Sequence, residues 1–138
     1  MKMHPYLAFN GQCREAFETY AQVFDGEVLF FQNFDEMPGS EELPEEIRGH
    51  VMHGQVSLQG QVLMGSDVMD PAMYQLPVGV NVQTGWDDPA QAKAVYDALL
   101  DGGEVIMPYE ETFWSPGFGI LRDRFGIPWM VNVNGEDA

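Results

Sequence analysis

The chain has little positive charge. Six Lys and Arg stand against 22 Asp and Glu, a formal net charge of −16. A surface of that sign repels phosphate backbones and anionic lipid headgroups, which removes nucleic acid and membranes from the expected partners. Cysteine is nearly absent, and the lone Cys13 cannot form an internal disulfide. No apolar run approaches the roughly 18 residues that a membrane-spanning helix needs. The opening residues Met1-Lys2-Met3-His4-Pro5 lack the apolar segment of a secretion signal. These absences together predict a soluble cytoplasmic protein.

Core-forming residues are plentiful. Hydrophobic residues make up 45% of the chain and aromatics 12%, which argues against disorder. At 138 residues the chain is one compact domain or two fused half-size modules. The densest stretch runs from Glu111-Thr112-Phe113-Trp114-Ser115-Pro116-Gly117-Phe118-Gly119 through Asp123-Arg124-Phe125-Gly126-Ile127-Pro128-Trp129-Met130-Val131-Asn132. It reads as a loop, a strand, a tight turn at Phe125-Gly126 and a second strand.

Upstream of it, Tyr6-Leu7-Ala8-Phe9 predicts a short strand ended by the turn pair Asn10-Gly11. Ala16, Phe17, Tyr20, Val23 and Phe24 form one face of a helix between Gln12 and Asp25, with Gly26 as its stop. Glu27 to Gln32 is rich in strand formers. An acidic loop follows from about Asn33 to Gly49, then strands from Gly49 to Leu58 and Gln61 to Ser66 around a tight turn at Gln59-Gly60. A linker covers about 68–76. Val78, Val80 and Val82 alternate with Gly79, Asn81 and Gln83, the period of a half-buried strand. Asp87 or Asp88 before Pro89 starts a helix with Ala92, Val95, Tyr96, Leu99 and Leu100 on its apolar face, and Gly102-Gly103 ends it. Glu104 to Met107 is the next strand.

The order of elements repeats. Tyr20 and Tyr96 lie 76 apart, Glu27 and Glu104 lie 77 apart, and Gly60 and Gly126, like Met64 and Met130, lie 66 apart. Each half is strand-helix-strand-strand-strand, and neither can bury its sheet alone, so the two are expected to pair.

Two such βαβββ modules, with Pro5-Tyr6-Leu7-Ala8-Phe9-Asn10-Gly11, His53 through Gly65-Ser66-Asp67, Glu111-Thr112-Phe113-Trp114 and Asp123 to Met130, resemble the vicinal oxygen chelate superfamily. That group contains glyoxalase I, bleomycin- and fosfomycin-resistance proteins and extradiol dioxygenases. The likeness is greatest to its PhnB-like branch, the 3-demethylubiquinone methyltransferase-like domain. The resemblance implies an α+β fold in which curved mixed sheets surround a cup. It implies one domain over 1–138, with module one at about 1–68 and module two at about 77–134, and a homodimer. No Gly-rich strand-to-helix turn with a ribose-binding acid downstream is present to hold a nucleotide-like methyl donor.

The superfamily's usual chemistry uses a divalent metal held by two ligands from each module, one early in the first strand and one in the last. Matching Leu7 and Phe9 to Val80 and Val82 puts those ligands at His4, Met64, Pro77 and Met130. Only His4 suits a hard or borderline ion, because thioethers prefer soft ones and proline has no ligating side chain. The expectation is therefore no metal and no other cofactor. Should a divalent metal be bound, His4 is its candidate ligand.

What remains is a small-molecule site. Strand alternation turns Met52, Val56 and Leu58 toward a helix and His53, Gln55 and Ser57 into the cup, with Tyr6 and Asn132 also inward. Met64 and Met130 line it, and Trp114 and Phe118 shape its mouth. The expected ligand-binding set is Tyr6, His53, Gln55, Met64, Trp114, Phe118, Met130 and Asn132. His53 is the one candidate general base, against the plainer reading of a hydrogen-bonded cavity histidine. His50, three residues away, faces the opposite side. Trp129 belongs to the core or stacks a ligand. Cys13 has no base placed beside it. The acidic loop is solvated and mobile, and long enough for a lid. Two functions follow: a non-catalytic small-molecule binding module, or an enzyme on a small metabolite. The enzyme is either metal-dependent, of lyase, isomerase or dioxygenase type, or metal-free with His53 as acid and base.

Overall fold

The computed structural model describes residues 1–135. The chain divides into two compact units between Gln75 and Leu76, at the end of the predicted linker. The first contains β1 (Tyr6–Phe9), α1 (Cys13–Val23), β2 (Glu27–Asn33), the short α2 (Glu45–Arg48), β3 (Val51–Leu58) and β4 (Gln61–Asp67). Its sheet runs β1-β4-β3-β2, with β1 parallel to β4 and the other pairs antiparallel. The second contains β5 (Val82–Trp86), α3 (Pro89–Leu100), β6 (Glu104–Glu110), β7 (Phe118–Arg122) and β8 (Pro128–Val133). Its sheet runs β5-β8-β7-β6 with the same directions. Each unit is thus a βαβββ module with an open, mixed, four-stranded sheet, the element order expected from the repeat and the α+β architecture that the resemblance implies.

In the first unit α1 buries Cys13, Ala16, Phe17 and Tyr20 against the sheet. Gly65 on β4 is required there, because a Cβ would lie 2.8 Å from the Phe17 ring. Gln12 gives α1 no side-chain cap. The role passes to Asp67 at the end of β4. It is 3% exposed and accepts hydrogen bonds from Cys13 N at 2.9 Å and Val51 N at 2.8 Å. One carboxylate therefore ties the helix start to two strands. Burial, and secondarily the charge of Asp67, pushes the Cys13 thiol well above its ordinary pKa.

In the second unit Asp88 caps α3 by accepting Ala90 N at 3.0 Å, and Pro89 takes the first turn. Ala92, Val95, Tyr96 and Leu99 are buried. On β7, Gly119 leaves room for α3, since a Cβ would stand 2.6 Å from Tyr96 Cε2. The β7–β8 turn closes on Asp123. Its Oδ1 accepts Phe125 N and Ile127 N, and its Oδ2 accepts the Trp129 indole N–H, each at 2.9 Å.

Three expectations are corrected. The first strand of module two is Val82–Trp86 rather than the alternating valines. Gly79 turns to φ +77°, and Val78 and Val80 are 74% and 70% exposed, so the valine period has no sheet behind it. Second, Met52 does not face the helix with Val56 and Leu58. Gln32 pairs with His53 and Asn33 with Val51, so Met52 is the extra residue of a bulge and Val51 is buried in its place. Third, the acidic stretch is not an unstructured loop. It carries 3₁₀ turns at Phe34–Glu36 and Ser40–Glu42, then α2, and is anchored by Phe34 and Ile47, 4% and 2% exposed. Arg48 donates to the Leu43 and Glu41 carbonyls at 3.0 Å each.

Candidate functional site

Each unit covers one face of its sheet with its own helix and leaves the other face with half-exposed side chains. In the first unit that open face brings together residues from all four strands. Tyr6 on β1 pairs with Met64 on β4, Met64 with Gln55 on β3, and Gln55 with Phe30 on β2, while His53 pairs with Gln32. Cross-strand partners share a face, so this register alone puts Tyr6, Met64, Gln55 and Phe30 side by side.

Within the group His53 is the hub. Its Nδ1 lies 3.0 Å from the Tyr6 hydroxyl and its Nε2 lies 3.1 Å from the Gln55 amide nitrogen. The Tyr6 ring stacks on the His53 ring at 5.7 Å with 18° between planes, and Phe30 tilts against it at 5.6 Å. Both ring nitrogens are thus held by protein groups. Tyr6 and Phe30 remain 55% and 45% exposed. None of these side chains is acidic.

The expected residues Tyr6, His53, Gln55 and Met64 therefore come together. Phe30 joins them without having been expected, because the irregular pairing between Val28 and Phe30 hides the parity of β2. His50 stands apart, its ring against Gly11, where a Cβ would be 3.1 Å from His50 Cε1.

The open face of the second unit carries Gln83, Ile120 and Met130, which pair across β5, β7 and β8, and the pair Phe118 and Asn132. Phe118 is 7% exposed because Trp114 packs edge-on against it at 5.2 Å, and Phe113 packs likewise on Trp114 at 4.8 Å. The loop bearing these rings is fixed from below by Ser115, 4% exposed. Its hydroxyl proton is shared between the Gly117 and Val133 carbonyls at 2.7 Å, and it accepts Gly117 N at 3.1 Å. Asn132 Oδ1 is buried without a hydrogen-bond partner. Trp114, Phe118, Met130 and Asn132 thus share one face of the second unit. Trp129 is core, 1% exposed and bound to Asp123.

The positions derived for a metal shift with the register. The first-strand residue beside Met64 is Tyr6, and the one beside Met130 is Gln83. His4 precedes β1, and Pro77 lies outside β5 with its carbonyl bound by Arg122 Nη1 at 2.9 Å. Sequence matching put the first strands four residues out of step because it followed the valines.

Residues 1–132 match the family model described as 3-demethylubiquinone-9 3-methyltransferase. Protein YjdN of Escherichia coli (strain K12) is 33% identical over 141 residues, covering 96% of this chain and 95% of its own. The crystal structure of protein PA1353 from Pseudomonas aeruginosa superposes with a TM-score of 0.86 at 37% identity, covering 97% of this chain and 98% of that one. The PhnB protein of Bacillus cereus gives 0.83 at 24% identity, with coverage of 96% and 99%. With its two βαβββ units, the chain belongs to the family described as 3-demethylubiquinone-9 3-methyltransferase.

Proposed function

We propose that this protein binds a small molecule on the open sheet faces of its two modules, which work as one domain over 1–138 within a cytoplasmic homodimer. The observation that carries the reading is the Tyr6–His53–Gln55 hydrogen-bonded set in an otherwise apolar face with Phe30 and Met64. Apolar walls with a few convergent polar groups are the usual make-up of a ligand site. On the second unit's own open face, Trp114, Phe118, Met130 and Asn132 form a separate set, and the orphan carbonyl oxygen of Asn132 is an acceptor in want of a donor.

The donor set argues against the superfamily's metal. The register offers Tyr6, Met64, Gln83 and Met130, a phenol, two thioethers and an amide, which is a poor match for a hard or borderline divalent ion. Metal analysis by plasma mass spectrometry on tag-free protein tests this, and a near-stoichiometric divalent metal would overturn it.

The homodimer rests on the strands β2 and β6. They are outer strands, and Leu29, Val105, Ile106 and Met107 are each between 41% and 49% exposed. Sedimentation at micromolar concentration should give a dimer, and Ile106→Lys should shift it toward monomer. A monomeric wild type refutes the assembly.

The Tyr6–His53 contact also favours a second reading, an enzyme on a small metabolite with acid–base chemistry at His53. Turnover in a substrate panel that His53→Ala abolishes, and surface substitutions leave intact, would establish it over binding alone.

A further inference from the structure

We infer that Tyr6, rather than His53, is the polar group that meets the ligand, and that it meets it as a hydrogen-bond donor. The matching ligand is a flat aromatic or conjugated molecule carrying an acceptor oxygen, of carboxylate or phenolate type. The inference rests on the reading of this face as a binding surface and specifies its chemistry.

The argument follows the protons. An amide nitrogen only donates, so the Gln55 Nε2 at 3.1 Å requires a lone pair on His53 Nε2. A neutral imidazole with that lone pair carries its proton on Nδ1. Nδ1–H then donates to the Tyr6 oxygen at 3.0 Å. With that oxygen already accepting, the Tyr6 O–H turns away from the imidazole and is left to donate outward. His53 has no nitrogen left to offer, so it acts as a positioning residue that sets the polarity of Tyr6, and Gln55 sets the tautomer of His53. The reverse order, with the Gln55 amide turned over and Nε2–H donating to it, would make Nδ1 accept from Tyr6 and leave Tyr6 able only to accept.

The surroundings define the rest of the ligand. Tyr6 and His53 are stacked, Phe30 leans on His53, and Tyr6 and Phe30 are about half exposed, so the face presents flat aromatic surface beside the Met64 thioether. In a chain with 22 acidic residues, Tyr6, Phe30, Gln32, His53, Gln55 and Met64 include none. An acceptor oxygen bearing negative charge meets a donor there with no carboxylate among these six side chains, the acid that the register puts on the same face being Glu27, opposite Ser57.

The full-length ¹⁵N-labelled protein tests this in two independent measurements. Long-range ¹H–¹⁵N correlation of the His53 ring, without any ligand, should show Nδ1 protonated and Nε2 bare. Gln55→Leu should erode that preference. A ring protonated on Nε2 overturns the donor role of Tyr6. Titration with benzoate and with benzylamine then probes the ligand class. Benzoate should shift the Tyr6 and His53 resonances, and its affinity should fall about 10-fold in Tyr6→Phe, the loss of one charge-assisted hydrogen bond. Benzylamine should bind more weakly than benzoate. Equal benzoate affinity in Tyr6→Phe, or a preference for benzylamine, overturns the assignment. Failure of both probes to bind overturns the binding reading of this face, while the tautomer result stands apart from it. Tyr6 is exposed and the substitution removes only its hydroxyl, so the fold is retained, as the backbone spectrum will register.

Discussion

Asp123 shows how much one side chain can hold. Its carboxylate, 5% exposed, receives two backbone N–H groups and the Trp129 indole N–H at 2.9 Å each. Asp123→Ala removes the shared acceptor of three buried N–H groups, and we expect a loss of about 3 to 5 kcal/mol in urea unfolding. A loss under 1 kcal/mol would mean that water satisfies the turn. Cys13 predicts a pH dependence. Burial keeps its thiol protonated in the folded state well beyond its usual range. Its contribution is fully present below the unfolded pKa of about 8.5 and is lost as pH rises above it, because only the unfolded chain then releases the proton. The expected slope is about 1.4 kcal/mol per pH unit for one such proton. Cys13→Ala should therefore lose stability less steeply than wild type between neutral and strongly alkaline pH. The raised pKa values of Tyr96 and Tyr109 are common to both proteins and cancel in the comparison. Parallel curves would show that the folded thiol ionises freely.

At the scale of elements, the two helices start in different ways. α3 is capped locally by Asp88, with Pro89 behind it, and the sequence announces both. Asp88→Ala should cost about 1 kcal/mol by chemical denaturation, the usual loss of a side-chain cap. No change would mean that Asp87 takes over. α1 has no local cap and depends on Asp67, 54 residues away from Cys13 in the chain. A contact of that range leaves no trace in local spacing. The strands follow the same division. β3 and β4 were legible from their tight turn and alternating residues. β5 was misplaced because a valine period exists where no partner strand does.

Across the whole molecule, charge is the dominant variable. A net charge of −16 makes the compact state repel itself, and added salt screens that repulsion. The melting temperature should rise by a few degrees between low and 0.5 M sodium chloride, a shift worth on the order of 1 kcal/mol for a chain of this size. A melting temperature that falls with salt would point instead to favourable ion pairs holding the fold. The ion pairs Lys93–Asp97, on the surface of α3, and Arg122–Glu104 are exposed on at least one side and worth little against a net charge of −16, so the former outcome is expected.

The sequence by itself determined the repeat, the βαβββ order of each half and the helix faces, because these depend on periods of 2 and 3.6 residues within one element. It also brought Tyr6, His53, Gln55 and Met64 to one face, since alternation along a strand survives folding where no bulge intervenes. Only the tertiary structure decided what depends on register between strands. Tyr6 beside Met64, Gln83 beside Met130, the bulge that turns Met52 out, and Phe30 against His53 each rest on which residue of one strand meets which residue of the next. Slipping a pairing by one residue reverses every side chain on a strand, and nothing within a single strand fixes that choice.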